Sequence, residues 1–234
     1  MGIDTVGLEA ILLSLRHVIN PLNSLTLARQ QFHRNTDIIN KLLEKYKYHR
    51  LSNKYKYNDY CETFFRDIGF NNIDSIDNNA YEDASIIHNL NYPFYSNKRY
   101  NFIYDGGTIE HIYNIPQVFE NIINLLEIDG IYCSVTCNNN FSGHGFYQFS
   151  PEIFLSTFTL KYGMKIEHLY LAQLDSDYKY WLNVNNFADG RNITSFNSSL
   201  PVYIILIAKK ISHKRENLIL NCPNQFSYEV IDWK

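Results

Sequence analysis

The most constraining feature of this sequence is where its glycines are not. The chain has 234 residues and only 10 glycines, and none lies between Gly7 and Gly69. That gap spans the place where a nucleotide-binding α/β domain puts its first strand and phosphate loop. A GxGxxG fingerprint or P-loop is therefore excluded there, and neither occurs elsewhere in the chain. The composition is skewed toward Asn (28), Ile (27) and Tyr (19). All three have A/T-rich codons, so the Asn excess is read as background and not as chemistry.

A chain of this length suits one α/β domain, and the expectation is a single domain over 1–234. Net charge is −3. That gives no general drive toward nucleic acid or anionic membrane, so no nucleic-acid partner is expected. The basic, Tyr-rich stretch 41–56 reads as a solvated helix face. The cysteines at 61, 133, 137 and 222 form no CxxC pair. Reduced thiols in a cytoplasmic protein are the expectation. Cys133 and Cys137, four apart on a strand, face one side and read as core. The longest apolar run, 202–208, is too short to span a bilayer, so no membrane span is expected.

Periodicity supplies the elements. Helical spacing marks 8–19, stopped by Pro21, and Thr36-Asp37 precedes a second helix. A short helix at 60–68 ends on Gly69. A strongly amphipathic helix covers 115–127, ended by Asp129-Gly130. Ser150 and Pro151 open another helix over 150–163. Strands read at 24–28, 73–77, 84–88, 100–105, 130–137, 164–173 and 201–210. Alternation of strands and helices predicts an α/β fold with a mostly parallel sheet and helices on both faces. The last two strands form an antiparallel pair joined by 174–200. A loop of that length reads as a lid or substrate wall, or else as the subunit interface of a homo-oligomer. The segment 212–234 reads as a tail.

Ligands of such sheets sit beyond the carboxyl ends of the strands. After the fourth strand stand Asp105, Gly106, Gly107, Thr108, Ile109, Glu110 and His111. Two glycines there allow a tight turn and close approach to a ligand. After the fifth strand stand Asn138, Asn139, Asn140 and, farther on, Gly143, His144 and Gly145, then Phe146, Tyr147 and Gln148. A histidine between two glycines is a poor core residue and an apt recognition group.

On these residues the sequence resembles the class I S-adenosylmethionine-dependent methyltransferases. The stretch IYDGGTIEHIYNIPQVFENIINLLEIDGIYCSVTC and its following loop are similar to the family's fourth strand, helix and fifth strand. IEHI matches the "LEHV" stretch of the branch that includes ubiquinone-biosynthesis enzymes. DGGTIEHI, GHGFYQFSPE and SIIHNLNYPF resemble bacterial methyltransferase-like proteins associated with surface-polysaccharide genes. The resemblance covers about residues 20–210 and is most specific over 100–160.

The resemblance implies a Rossmann-like, seven-stranded sheet in the order 3-2-1-4-5-7-6 and S-adenosylmethionine as cofactor. Ala28, Arg29 and Gln30 fall where the family has its glycine-rich cofactor loop. Arg29 could pair there with the cofactor carboxylate. Asp77 falls where an acidic residue takes the ribose hydroxyls. Asn89 and Leu90 fall at the adenine-facing loop, and Asp105, Gly106 and Gly107 beside the methionine. The implied reaction is O-methylation of a small hydroxylated acceptor such as a surface-glycan sugar. The alternative is an inactive methyltransferase-like scaffold with a degenerate cofactor loop.

A hydroxyl acceptor needs a base, and histidine is the natural one near neutral pH. His144 is the first choice and His111 the second, with Glu110 beside them. Asn139, Asn140, Phe146, Tyr147 and Gln148 are the expected acceptor contacts, the aromatics by stacking. Glu110, His111 and His144 also resemble part of the ExxEH…H metal set of small-RNA 2′-O-methyltransferases. Position 107 is glycine, so one carboxylate of that set is missing and no metal is expected.

Overall fold

The computed structural model describes residues 2–174, 181–184, 197–213 and 215–224. An eight-stranded sheet runs through it. In chain order its strands are β2 (Asn23–Leu27), β4 (Asn72–Asp77), β5 (Ile86–Ile87), β6 (Tyr100–Gly106), β7 (Leu126–Asn139), β8 (Met164–Gln173), β9 (Trp181–Asn183) and β10 (Val202–Lys210). They lie side by side as β5-β4-β2-β6-β7-β10-β8-β9. The first seven of these follow the order 3-2-1-4-5-7-6. Pairing is parallel from β5 to β7, and β10 is antiparallel to both of its neighbours. One strand exceeds the expected seven: β9 pairs antiparallel with β8 at the edge. It falls within the long connection at 174–200. The rest of the lid expected there, at 175–180 and 185–196, lies outside the described residues, as does 225–234 of the tail.

Alternation along the strands feeds two cores. Leu25, Leu27, Ile103, Tyr132, Ile204 and Leu206 face helices α4 (Ile115–Leu125) and α5 (Pro151–Thr157). Phe102, Tyr104, Ile131, Cys133, Ile205 and Ile207 face α1 (Thr5–Ser14), α2 (Thr36–Lys45) and α3 (Glu62–Asp67). Both faces are apolar, as a covered parallel sheet requires.

Several helix ends follow from local chemistry. Ser150 caps α5 with Pro151 in its first turn, as the sequence indicates. Asn35 caps α2 through the Ile38 amide. Helix α1 starts earlier than its apolar spacing suggests, because the Asp4 carboxylate takes the Gly7 amide at 2.8 Å. Before it, β1 (Gly2–Ile3) pairs in parallel with β3 (Gln31–Phe32). Helix α4 stops at Leu125, four residues before the Asp129-Gly130 turn, and runs directly into β7.

That abrupt stop has a cause in β10. Lys210 is buried, and its Nζ donates to the carbonyls of Ile123 and Leu126 at 2.7 and 2.8 Å. It thus satisfies orphan carbonyls at the helix end. Burial pushes its ammonium down to about 8. A lysine held below its unfolded value contributes stability above the unfolded pKa that is lost as pH falls through the folded one. Wild-type stability should therefore rise between about pH 8 and 10.5 relative to Lys210→Met. Urea denaturation of both proteins at several pH values checks this; parallel curves would refute it.

The tail docks through Glu120 on α4. Its carboxylate binds Arg215 at 2.6 Å and accepts the Leu218 amide at 3.0 Å, while Leu218 enters the core. Among the described residues no helix is long and apolar enough to cross a membrane.

Candidate active site

Two cavities open beyond the carboxyl ends of the parallel strands. The smaller, about 170 Å³, is lined by Ala28, Ile76, Asp77, Asn89, Leu90, Thr108, His111 and neighbouring residues. The larger, about 540 Å³, is bounded by Asp4, His33, Arg34, Tyr104, Glu110, His111 and His144, among others. His111 borders both.

The smaller cavity gathers sequence positions that are far apart in the chain. Asp77 ends β4, Ala28 follows β2, and Asn89-Leu90 follow β5. Ala28 stands at φ 55, in the left-handed region where glycine is the usual residue. The chain therefore keeps the turn of a glycine loop without the glycine, at a cost of roughly 1–2 kcal/mol. The turn carries Arg29 away from both cavities. Arg29 binds Glu62 at 2.6 Å and the Glu82 carbonyl at 2.9 Å, and stacks over Tyr60 at 3.6 Å. Gln30 is fully buried and its Nε2 donates to the Leu27 carbonyl at 2.6 Å.

Glycines do line the larger cavity, but they come from elsewhere. Gly2, Gly7, Gly106 and Gly107 all border it. A Cβ at Gly7 would meet the Tyr104 hydroxyl at 2.5 Å, and one at Gly106 would meet Gln30 Oε1 at 2.7 Å. Gln30 Oε1 and the Tyr104 hydroxyl are both buried without a hydrogen-bond partner. Buried polar groups are nearly always satisfied, so two orphans flanking one glycine at the cavity wall are an unusual feature of this site.

Asp105 faces the other way. It is fully buried and accepts from the Thr108 amide at 2.9 Å and the Ser134 hydroxyl at 2.7 Å. Burial, and next the Glu110 charge, push its carboxyl well above the usual range. Its visible task is to fold the 106–111 turn. Glu110 is buried too. Thr136 donates to its Oε2 at 2.7 Å and the Cys137 thiol to its Oε1 at 3.4 Å. His144 Nε2 lies 3.8 Å from the same Oε1, and the His111 and His144 rings are 4.9 Å apart.

The loop after β7 is clamped onto this turn by its backbone. The Glu110 carbonyl accepts the Phe146 amide at 2.8 Å, and a Cβ at Gly145 would come within 2.7 Å of that carbonyl oxygen. Most of the expected acceptor contacts serve the loop itself. Gln148 accepts the Phe141 amide at 2.7 Å, Asn140 donates to the Ser198 and Leu200 carbonyls, and Tyr147 donates to the Tyr113 carbonyl. Phe146 and Tyr113 stand exposed, edge to face at 5.8 Å. Asn139 is exposed at the strand end.

Sequence reading missed Gly2, Asp4, Gly7, His33, Arg34 and Tyr104. The two-residue β1–β3 pairing brings the N-terminal segment to the site, and pairing that short leaves no periodic signal.

No protein-family model and no curated protein matches the chain. Solved structures do. An S-adenosylmethionine-dependent methyltransferase from Mesorhizobium loti aligns at TM-score 0.51 and 9% identity, over 88% of this chain and 98% of that one. A Listeria monocytogenes protein provisionally assigned to the same class aligns at 0.50 and 11%, over 88% and 100%. TehB from Haemophilus influenzae aligns at 0.48 and 10% over 86% of this chain, which spans 61% of TehB. Strand order, antiparallel β10 and the Mesorhizobium and Listeria likenesses agree: the chain has the fold of the class I S-adenosylmethionine-dependent methyltransferases.

Proposed function

We propose that the protein is an S-adenosylmethionine-dependent methyltransferase acting on a hydroxyl of a small acceptor, such as a sugar of a surface glycan. The carrying observation is that His111 borders both cavities. One cavity suits an adenosine and the other an acceptor, so a group shared by both lies where transfer would occur. When bound, the cofactor supplies an electrophilic methyl on a sulfonium.

The chain's own residues have separable tasks. Asp77 at the end of β4 takes the ribose hydroxyls. Ile76, Leu90 and Ile112 give the apolar walls for a purine, with Asn89 at its rim. The Tyr104 hydroxyl and Gln30 Oε1, both unpartnered beside Gly106, offer polar contacts to the amino-acid end. His111 accepts the acceptor's proton, and positioning does the remainder. His144, first choice from the sequence, borders only the larger cavity and stands against Glu110. Exposed Tyr113 and Phe146 give a surface on which a sugar ring can stack.

Calorimetric titration with S-adenosylhomocysteine and S-adenosylmethionine tests this reading. The expected result is one site on the purified chain for each. No heat with either at millimolar concentration would sink it and favour the inactive-scaffold alternative.

A further inference from the structure

Three side chains of the larger cavity's wall carry more than the methyl-transfer reading uses. Glu110, Cys137 and His144 come from three separate elements, the turn after β6, the end of β7 and the loop beyond it. One ligating atom from each lies within 4.8 Å of the others. Glu110 Oε1 is the hub, 3.4 Å from Cys137 Sγ and 3.8 Å from His144 Nε2. A tetrahedral zinc with bonds of about 2.0–2.3 Å spaces its ligands roughly 3.3–3.7 Å apart. The two Glu110 distances already match that spacing closely, and the Cys137–His144 pair, within 4.8 Å, needs to close by about 1 Å at most. Gly143, in open space on one side of His144, leaves room for it, since a Cβ there would meet nothing within 4 Å, while Gly145 on the other side packs against the Glu110 carbonyl.

The surroundings favour a cation. Glu110 is 1% exposed, and a buried carboxylate is costly unless paired or ligating. Among the described residues its only basic partner within ion-pair reach is His144, whose side chain is half exposed. Thr136 holds Oε2, which turns Oε1 toward Cys137 and His144. That is the arrangement by which an outer hydrogen bond orients a metal-ligating carboxylate.

We propose that Glu110, Cys137 and His144 bind one divalent metal ion of the zinc type, with its fourth position open to the larger cavity. Binding replaces the Cys137 thiol proton, which is released to solvent. Three protein ligands and an open position are the plan of a catalytic zinc site. The role of the metal rests on the methyl-transfer reading. The acceptor hydroxyl coordinates at the open position and becomes more acidic. His111 takes its proton, the oxygen lone pair forms the new bond to the methyl carbon, and the carbon–sulfur pair leaves on sulfur as a thioether.

Cobalt(II) is the probe, because a thiolate ligand gives it a charge-transfer band. Titration of the purified full chain should show one equivalent bound, with a near-ultraviolet thiolate band and visible bands of tetrahedral cobalt. Cys137→Ser should abolish the thiolate band, and Cys222→Ser, at an exposed thiol, should leave it unchanged. His144→Ala, at a half-exposed position that does not threaten folding, should weaken cobalt affinity about tenfold or more. Absence of the band in the wild type, or its survival in Cys137→Ser, overturns the proposal. S-adenosylhomocysteine titration of the same samples keeps the two readings apart. Cobalt binding without nucleoside binding leaves the metal site standing and removes methyl transfer; the converse removes the metal alone.

Discussion

Replacing His111 by alanine is expected to lower turnover by about 100- to 10,000-fold, the usual worth of a positioned general base. S-adenosylhomocysteine affinity should change far less, since His111 is one of many residues around the smaller cavity. Release of S-adenosylhomocysteine in the presence of a panel of hydroxylated sugars gives the readout. His111→Gln separates basicity from shape. It keeps a polar side chain at the junction of the cavities but cannot take a proton, so it should be as slow as the alanine variant. Turnover at wild-type level in either variant would remove His111 as the base. The same measurement on His144→Ala should show a loss that depends on added divalent metal, because the imidazole stands against Glu110 and Cys137.

The second large effect concerns the smaller cavity. Leu90 is 5% exposed and forms part of its wall. Leu90→Trp places an indole in a space of about 170 Å³ and should abolish S-adenosylhomocysteine binding. Asp77→Ala removes a carboxylate acceptor. A hydrogen bond to a charged group contributes about 1.5–3 kcal/mol, so affinity should fall by roughly 10- to 150-fold. Calorimetry on both variants, with circular dichroism to confirm folding, decides the matter. Wild-type affinity in both would mean that the nucleoside binds elsewhere. Graded loss in Asp77→Ala with complete loss in Leu90→Trp is the pattern that hydrogen bonding plus steric filling predicts.

Much of the sheet was legible in the sequence because strand and helix periods are local properties. The runs at 100–105, 164–173 and 201–210 each fall within a residue or so of an observed strand. Ser150-Pro151 announced its helix start for the same reason. Boundaries set by distant contacts were not legible. The 115–127 helix stops at Leu125 because Lys210, 85 residues beyond that end, sits under its last carbonyls. The 174–200 connection hid β9, whose three residues are strand only by pairing with β8.

The site divides along the same line. Asp77, Asn89, Leu90 and Ala28 converge on one cavity, and Gly106, Gly107, Glu110, His111 and His144 on the other. Strand ends are predictable once strands are. The direction of a side chain at a strand end is not. Asp105, Arg29 and Gln148 stand at the strand ends and loop that the sequence indicated, and each side chain is held by a partner within the chain.

Glycine gaps and apolar periods are one-dimensional facts, so the lack of a phosphate loop and the alternation of an α/β fold were legible along the chain. What the missing glycines mean emerged only from the folded arrangement. Ala28 keeps the left-handed turn, while Gly2 and Gly7 reach the cavity from the N-terminus beside Gly106. Close approach of backbone to a ligand depends on which atoms meet in space, and residues 2, 7 and 106 meet only because the chain folds back through β1, β3 and β6.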